Sequence, residues 1–188
     1  MKQCGQMEGQ KAAKTLNRAG AGSGISVQKL AFAGLLVAVA VVGSLFSVPI
    51  LGSKCAPVQH MVNLFAAVLL GPFWGVAIAS CASLLRVLLG LGSLMAFPGS
   101  MVGALCCGLV YAATKKLALT CAAEALGTGI LGGLLAYPVA VYGIGLAPAG
   151  YTVYILPFLV STVVGSLIAY VVLGLLQRSK AIEAFLNR

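Results

Sequence analysis

The chain has 188 residues, 61% of them hydrophobic and 8% charged, with mean hydropathy +1.07 and a net charge of +9. A soluble domain carries about a quarter charged residues, so the composition excludes an ordinary soluble fold and points to an integral membrane protein. The basic excess does not imply nucleic acid. No base-stacking or groove-reading module is visible, and basic flanks orient membrane proteins and meet anionic headgroups.

Charge is concentrated at the two ends. Lys2, Lys11, Lys14, Arg18 and Lys29 precede the first apolar run, and Arg178, Lys180, Glu183 and Arg188 follow the last. Between Leu30 and Gln177 the formal charges are Lys54, Arg86, Lys115, Lys116 and Glu124. The expected organisation is therefore a basic cytoplasmic tail over residues 1–27, a membrane domain over 28–177 and a basic cytoplasmic tail over 178–188. Asn17 to Gly24 reads as a flexible linker. The first apolar run is too long for a signal peptide, and no small-residue cleavage site follows it. None of the six cysteines forms a Cys-x-x-Cys pair, so neither a disulfide framework nor a zinc site is expected.

In chain order, the apolar pattern predicts six helices in an all-α bundle. The first runs from about Gln28 to Ser47, long enough to span. Its Gly34 and Ala38 lie four apart, with Ala31 one turn before them, and this small-residue spacing admits a close neighbour. That neighbour is either this protein's own bundle or a partner protein. Pro49 to Ala56 reads as a loop. The uncharged stretch from Cys55 to Leu85 covers 31 residues and is interrupted by Gly71-Pro72. It divides into a short second helix over about Val58–Leu70 and a third over about Phe73–Leu89. The fourth helix runs from about Phe97 to Thr114 and ends at Lys115-Lys116. The fifth runs from about Thr120 to Val141 and the sixth from about Thr152 to Leu176. Pro138 and Pro157 fall inside these two and are expected to kink them. Six spans place both basic termini and Lys115-Lys116 in the cytoplasm, with Lys54 alone on the outer side.

This topology aligns the scarce polar groups. Pro57-Val-Gln-His-Met-Val-Asn63 holds the sole histidine, and Gln59, His60 and Asn63 share one helix face. Together with Arg86, Ser93, Phe97, Ser100, Tyr137 and Tyr154 they fall in the outer half of the bundle, beneath the Pro49–Ala56 loop. Polar groups in a bilayer must face a cavity or one another, so these nine residues are the candidate small-molecule site. Tyr151 reads as an interfacial aromatic. Glu124, one turn into the fifth helix, is expected near the cytoplasmic side with Lys115, Lys116 or another subunit as its partner.

The chain has no aspartate and no phosphate-binding Gly-x-x-x-x-Gly-Lys-Ser/Thr loop, so it does not hydrolyse ATP in that manner. A solitary His60 is a poor metal ligand set. A membrane serine hydrolase would have to use Ser100 and His60, without an orienting acid or an oxyanion loop. The remaining class is a membrane protein that binds a ligand and draws energy from partners, or a scaffold without a ligand.

Several segments carry a family resemblance. Pro57-Val-Gln-His-Met-Val-Asn63, Leu70-Gly-Pro-Phe-Trp74, Ser83-Leu-Leu-Arg86, Gly92-Ser-Leu-Met-Ala-Phe-Pro-Gly-Ser-Met101 and Gly127-Thr-Gly-Ile-Leu-Gly-Gly-Leu-Leu-Ala-Tyr-Pro138 resemble the ThiW family, substrate-binding S components of energy-coupling-factor (ECF) transporters. The resemblance covers about Gln28 to Leu176. It implies a six-helix S component in a bacterial or archaeal cell membrane that captures hydroxyethylthiazole, a thiamine precursor. It also implies partners: a transmembrane coupling subunit, contacted by small residues of the first helix, and two ATPases. No cofactor is implied. Another vitamin or precursor is the alternative ligand. The flat ring would stack on Phe97, Tyr137 or Tyr154, and His60, Gln59 or Asn63 would bond its nitrogen and hydroxyl. On a neutral alcohol Arg86 has no anion to meet. It either orders the end of its helix through backbone carbonyls or signals a phosphorylated or otherwise anionic ligand.

Overall fold

The computed structural model describes residues 27–50 and 53–179. The basic tail expected over 1–27, except for its last residue, and the tail from 180 onward lie outside the described residues. The chain falls into two compact units, residues 1–31 and 32–188. Of the first, the described part is the opening of helix α1 (Val27–Gly43).

Helix α1 ends in a tight turn, Ser44–Phe46. Two short strands follow, β1 (Val48–Ile50) and β2 (Ser53–Cys55), paired antiparallel with Val48 opposite Cys55 and Pro49 opposite Lys54. The segment expected to be a plain loop is thus a hairpin. An isolated two-stranded hairpin is marginal, and this one is tied to the bundle at two points. The Cys55 thiol donates to the Pro157 carbonyl at 3.1 Å, and Lys54 Nζ donates to the Gly90 carbonyl at 3.1 Å.

Five further helices follow: α2 (Pro57–Leu69), α3 (Pro72–Leu88), α4 (Ala96–Thr114), α5 (Leu117–Gly143) and α6 (Ile155–Arg178). Both α2 and α3 begin on proline, whose missing N–H is harmless in a first turn. Lys115, at φ 55°, ends α4 in the left-handed region. Within α5 the turns widen to π-helical over Ala125–Gly132 and again over Val139–Ile144, immediately after Pro138. The proline therefore loosens this helix as expected. Pro157 does not interrupt its helix. It lies in the first turn of α6, where no helical N–H is lost.

Four helices, α1 with its terminal turn, α4, α5 and α6, are long and apolar enough to cross a membrane; α2 and α3 are apolar but shorter. The 13 residues of α2 extend about 20 Å at 1.5 Å per residue, against a hydrocarbon core of about 30 Å. The expectation of six helices is met, but six full spans are not. The Gly71-Pro72 break leaves two half-length helices where the uncharged stretch was divided.

The bundle is inverted relative to a soluble protein. Large aliphatics such as Leu105, Leu109, Leu167, Val171 and Leu175 are exposed on its surface. The buried stripe of α4 is small instead: Gly99, Ser100, Gly103, Ala104, Cys107 and Gly108. Such stripes let backbones approach in the membrane, where packing and hydrogen bonds, not water exclusion, hold helices together. One apolar cluster joins Leu64, Ala67 and Val68 of α2 to Cys107, Leu117, Ala169 and Leu173. A second joins Ala33, Leu36 and Ala40 of α1 to Val62, Ala66, Ile78 and Ala82. The inward face of α1 is thus Ala33–Leu36–Ala40, whereas Ala31, Gly34 and Ala38 are exposed. Nothing lies within 4 Å of where a Gly34 Cβ would stand. Internal packing does not account for this small-residue stripe.

Candidate functional site

Helices α2, α3, α4 and α5 bring their polar side chains into one buried network. Asn63 is fully buried at its centre. Its amide nitrogen donates to Glu124 Oε1 at 3.0 Å and to the Ser100 carbonyl at 3.3 Å. Its amide oxygen accepts from Gln59 Nε2 at 3.4 Å, one helical turn away. The Gln59 oxygen in turn accepts from Arg86 Nη1 at 3.3 Å. A directed hydrogen-bond chain therefore runs from a buried guanidinium through two amides to a buried carboxyl group, and such chains polarise cooperatively in a low dielectric.

Glu124 Oε1 also accepts from Thr128 Oγ1 at 3.1 Å and lies 3.1 Å from His60 Nδ1. A carboxylate is acceptor-only. Opposite Glu124 as a carboxylate, the His60 proton therefore sits on Nδ1 and leaves Nε2 as an acceptor when the ring is neutral. Ser100 Oγ donates to the Ala96 carbonyl at 2.8 Å, so its 2.9 Å contact with Ser83 is donated by Ser83. The Ser100–His60 pair that a serine hydrolase needs is not formed. His60 is engaged by Glu124 and Ser100 by Ser83.

Two close approaches make the network possible. A Cβ on Gly103 would run into Thr128 Oγ1 and come 2.8 Å from Glu124 Oε2. A Cβ on Gly165 of α6 would run into the Pro57 carbonyl and come 2.9 Å from His60 Cβ. Glycine at these points lets α4 and α6 close around the His60–Glu124 contact.

Of the nine residues expected from sequence, Gln59, His60, Asn63, Arg86 and Ser100 lie in the network. Tyr137 and Tyr154 lie beside it, in a cluster with Met95, Ala136, Ala140 and Phe158. The Phe158 ring packs over Gly99, the neighbour of Ser100 in sequence. Tyr137 also meets Tyr151, with ring centroids 4.5 Å apart. Ser93 and Phe97 differ from expectation. Both are only partly buried, and what they contribute is backbone carbonyls: Ser93, in the turn before α4, accepts from Ala96 N–H, and Phe97 accepts from Ser100 Oγ.

Glu124, Ser83 and Thr128 were not among the expected site residues. Glu124 is fully buried and bonded to His60, Asn63 and Thr128, not to Lys115 or Lys116. Two signals could have found it. It is the one acid between Leu30 and Gln177, and an acid at membrane depth needs partners. Thr128 also stands one turn further along the same face.

Among the described residues, Arg86 Nε and Glu124 Oε2 in the network, and the Ser161 and Ser166 hydroxyls on α6, are buried without a hydrogen-bond partner. Unsatisfied buried polar atoms are rare in native proteins and call for an explanation, such as a group absent from the protein itself.

A model of the ThiW family, described as thiamine-precursor transporter protein, matches residues 30–179. The chain belongs to the ThiW family. The match covers all six helices apart from the first three residues of α1, and the whole polar network. No curated protein and no solved structure matches the chain. As a member of a membrane transporter family with four helices long and apolar enough to cross a membrane, this ThiW chain is a multi-pass transport component, and its polar network is buried inside the bundle.

Proposed function

We propose that this ThiW-family chain is the substrate-capture S component of an ATP-driven importer of the energy-coupling-factor type. In this reading it sits in a bacterial or archaeal cell membrane as a six-helix bundle with both termini cytoplasmic. It binds hydroxyethylthiazole, and a transmembrane coupling subunit with two ATPases supplies the energy. Gln59, His60, Asn63, Arg86 and Ser100 form the polar wall of the ligand site, with Tyr137 and Tyr154 as its aromatic side. Ser93 and Phe97 stand at its rim.

The observation that carries this reading is the network itself. Eight polar side chains from α2, α3, α4 and α5 are gathered in a protein with few polar residues, and two charged groups keep atoms without a protein partner. A purely structural network would close on itself, because each unsatisfied atom costs stability. A binding network leaves valences for its ligand. The exposed Ala31–Gly34–Ala38 stripe supports the coupling subunit as a helix-packing partner.

The test is purification of the full chain in detergent, followed by mass spectrometry of any co-purifying small molecule and titration with hydroxyethylthiazole. Saturable binding at one site per chain is the expected result. Absence of saturable binding, with the helices intact by circular dichroism, would support the scaffold reading instead.

A further inference from the structure

Arg86 is 2% exposed. Of its five N–H donors, the described partners account for one, the 3.3 Å bond from Nη1 to the neutral Gln59 oxygen, and Nε has none. No carboxylate among the described residues lies within ion-pair distance. The sole acid there, Glu124, has three donors on Oε1 and turns Oε2 towards Gly103. Among the described residues the guanidinium donates to no backbone carbonyl, so capping α3 does not explain it. The Arg86 carbonyl already accepts from Leu91 and Gly92 N–H at 2.8 and 3.0 Å. The charged head is buried without a counter-ion among the described residues, an expensive arrangement in a membrane.

The turn that follows α3 adds a second, independent observation. Gly92 lies directly against the arginine: a Cβ there would come 3.1 Å from Arg86 Cβ and 3.6 Å from Nε. The absence of a side chain keeps the neighbourhood of Nε clear. On the same turn Lys54 Nζ is held to the Gly90 carbonyl. Two cations from distant parts of the sequence are therefore fixed to one turn of three residues, with no acid beside them among the described residues. A guanidinium with free donors matches the paired oxygens of a phosphate or carboxylate, which it grips at two points.

We infer that the captured ligand carries an anionic oxygen group that docks on Arg86, with Lys54 as the second cation of that corner. The preferred thiamine precursor is then a phosphate ester or a carboxylate of the thiazole, and the neutral hydroxyethylthiazole is a weaker ligand of the same site. This rests on the reading of the chain as a ligand-capture subunit.

The test is competitive binding to the detergent-solubilised full chain at low salt with three probes: hydroxyethylthiazole, its phosphate ester and a thiazole carrying a carboxylate side chain. At least one anionic probe should bind tenfold or more tightly than the alcohol, and which one does so identifies the anion. Arg86→Gln should bring that ratio to within about twofold, and Arg86→Lys should retain part of it. If Arg86→Gln does not fold, Lys54→Gln should weaken the favoured anion several-fold more than it weakens the alcohol. Equal or tighter binding of the alcohol to the unmodified chain overturns the inference while leaving ligand capture intact. So does a preference that survives Arg86→Gln. Failure of all three probes to bind overturns ligand capture, and the inference with it.

Discussion

Glu124 holds three donors on a single oxygen, and this makes it the residue on which the network most depends. Replacing it with alanine strands His60 Nδ1, one Asn63 N–H and Thr128 Oγ1 in a buried site. Each buried donor left unsatisfied in this way costs about 1–3 kcal/mol. Glu124→Ala should therefore lower the unfolding midpoint in detergent well below that of Glu124→Gln, which keeps an acceptor oxygen. Equal midpoints would mean that the network contributes little to folding. Cys55 yields a second prediction at this scale. Burial raises its pKa above the ordinary cysteine value, and its thiol donates to the Pro157 carbonyl. The folded state holds the proton more tightly than the unfolded chain. This contribution to stability is complete below the ordinary pKa and is lost as pH rises past it. The thiolate is the reactive form, so in a variant retaining Cys55 alone maleimide labelling at pH 8 should be slower than for a free thiol and should accelerate with pH. Labelling at the free-thiol rate would show that the hairpin is not docked.

At the scale of elements, legibility followed the kind of signal each segment carried. Long apolar runs bounded by proline, glycine or lysine gave α2, α3 and α4 to within a residue or two, because the membrane leaves backbone few options other than helix. The start of α5 was less legible. Nothing in Lys116-Leu-Ala-Leu-Thr120 marks the first turn, and beginning at Leu117 instead of Thr120 carries Glu124 to about 10 Å along the helix. That extra turn separates a carboxyl group beside Lys115 from one that reaches Asn63. The wide turns over Ala125–Gly132 were also hidden, since π-helical geometry has no clear sequence mark, although it recurs at functional sites. The hairpin depends on tertiary anchors, Pro157 and Gly90, that local pattern does not encode. The glycine contacts were equally invisible, and they are testable. Gly103→Ala would drive a methyl group into Thr128 and Glu124. Overpacking of this kind costs about 1–3 kcal/mol, and it should weaken ligand binding together with stability. An unchanged midpoint and affinity would show that α4 can move aside.

For the whole molecule, polarity is divided between the interior and one face. Hydrogen-bonding groups are collected inside, aliphatics face outward, and the exposed surface of α1 carries a stripe too small to be explained by the bundle's own packing. In the proposed reading, capture belongs to the buried network and assembly to the exposed stripe of α1. Gly34→Leu or Ala38→Leu should leave ligand affinity and the unfolding midpoint unchanged while abolishing co-purification with the coupling subunit. Loss of ligand binding would place α1 within the site. The five expected side chains that did meet in the network came from a simple argument, that scarce polar groups in a membrane protein must find one another. The partner assigned to Glu124 did not follow from that argument, because its depth was misjudged.

The central claim is that the His60–Asn63–Glu124 network binds the ligand. Titration calorimetry with the tightest-binding thiazole probe, on the unmodified chain, His60→Ala and Asn63→Ala, tests it most directly, with thermal melts as the control for folding. Loss of one buried hydrogen bond corresponds to about 1–3 kcal/mol, or roughly a 5- to 150-fold weaker affinity for each variant. Affinity unchanged in both folded variants would contradict the account.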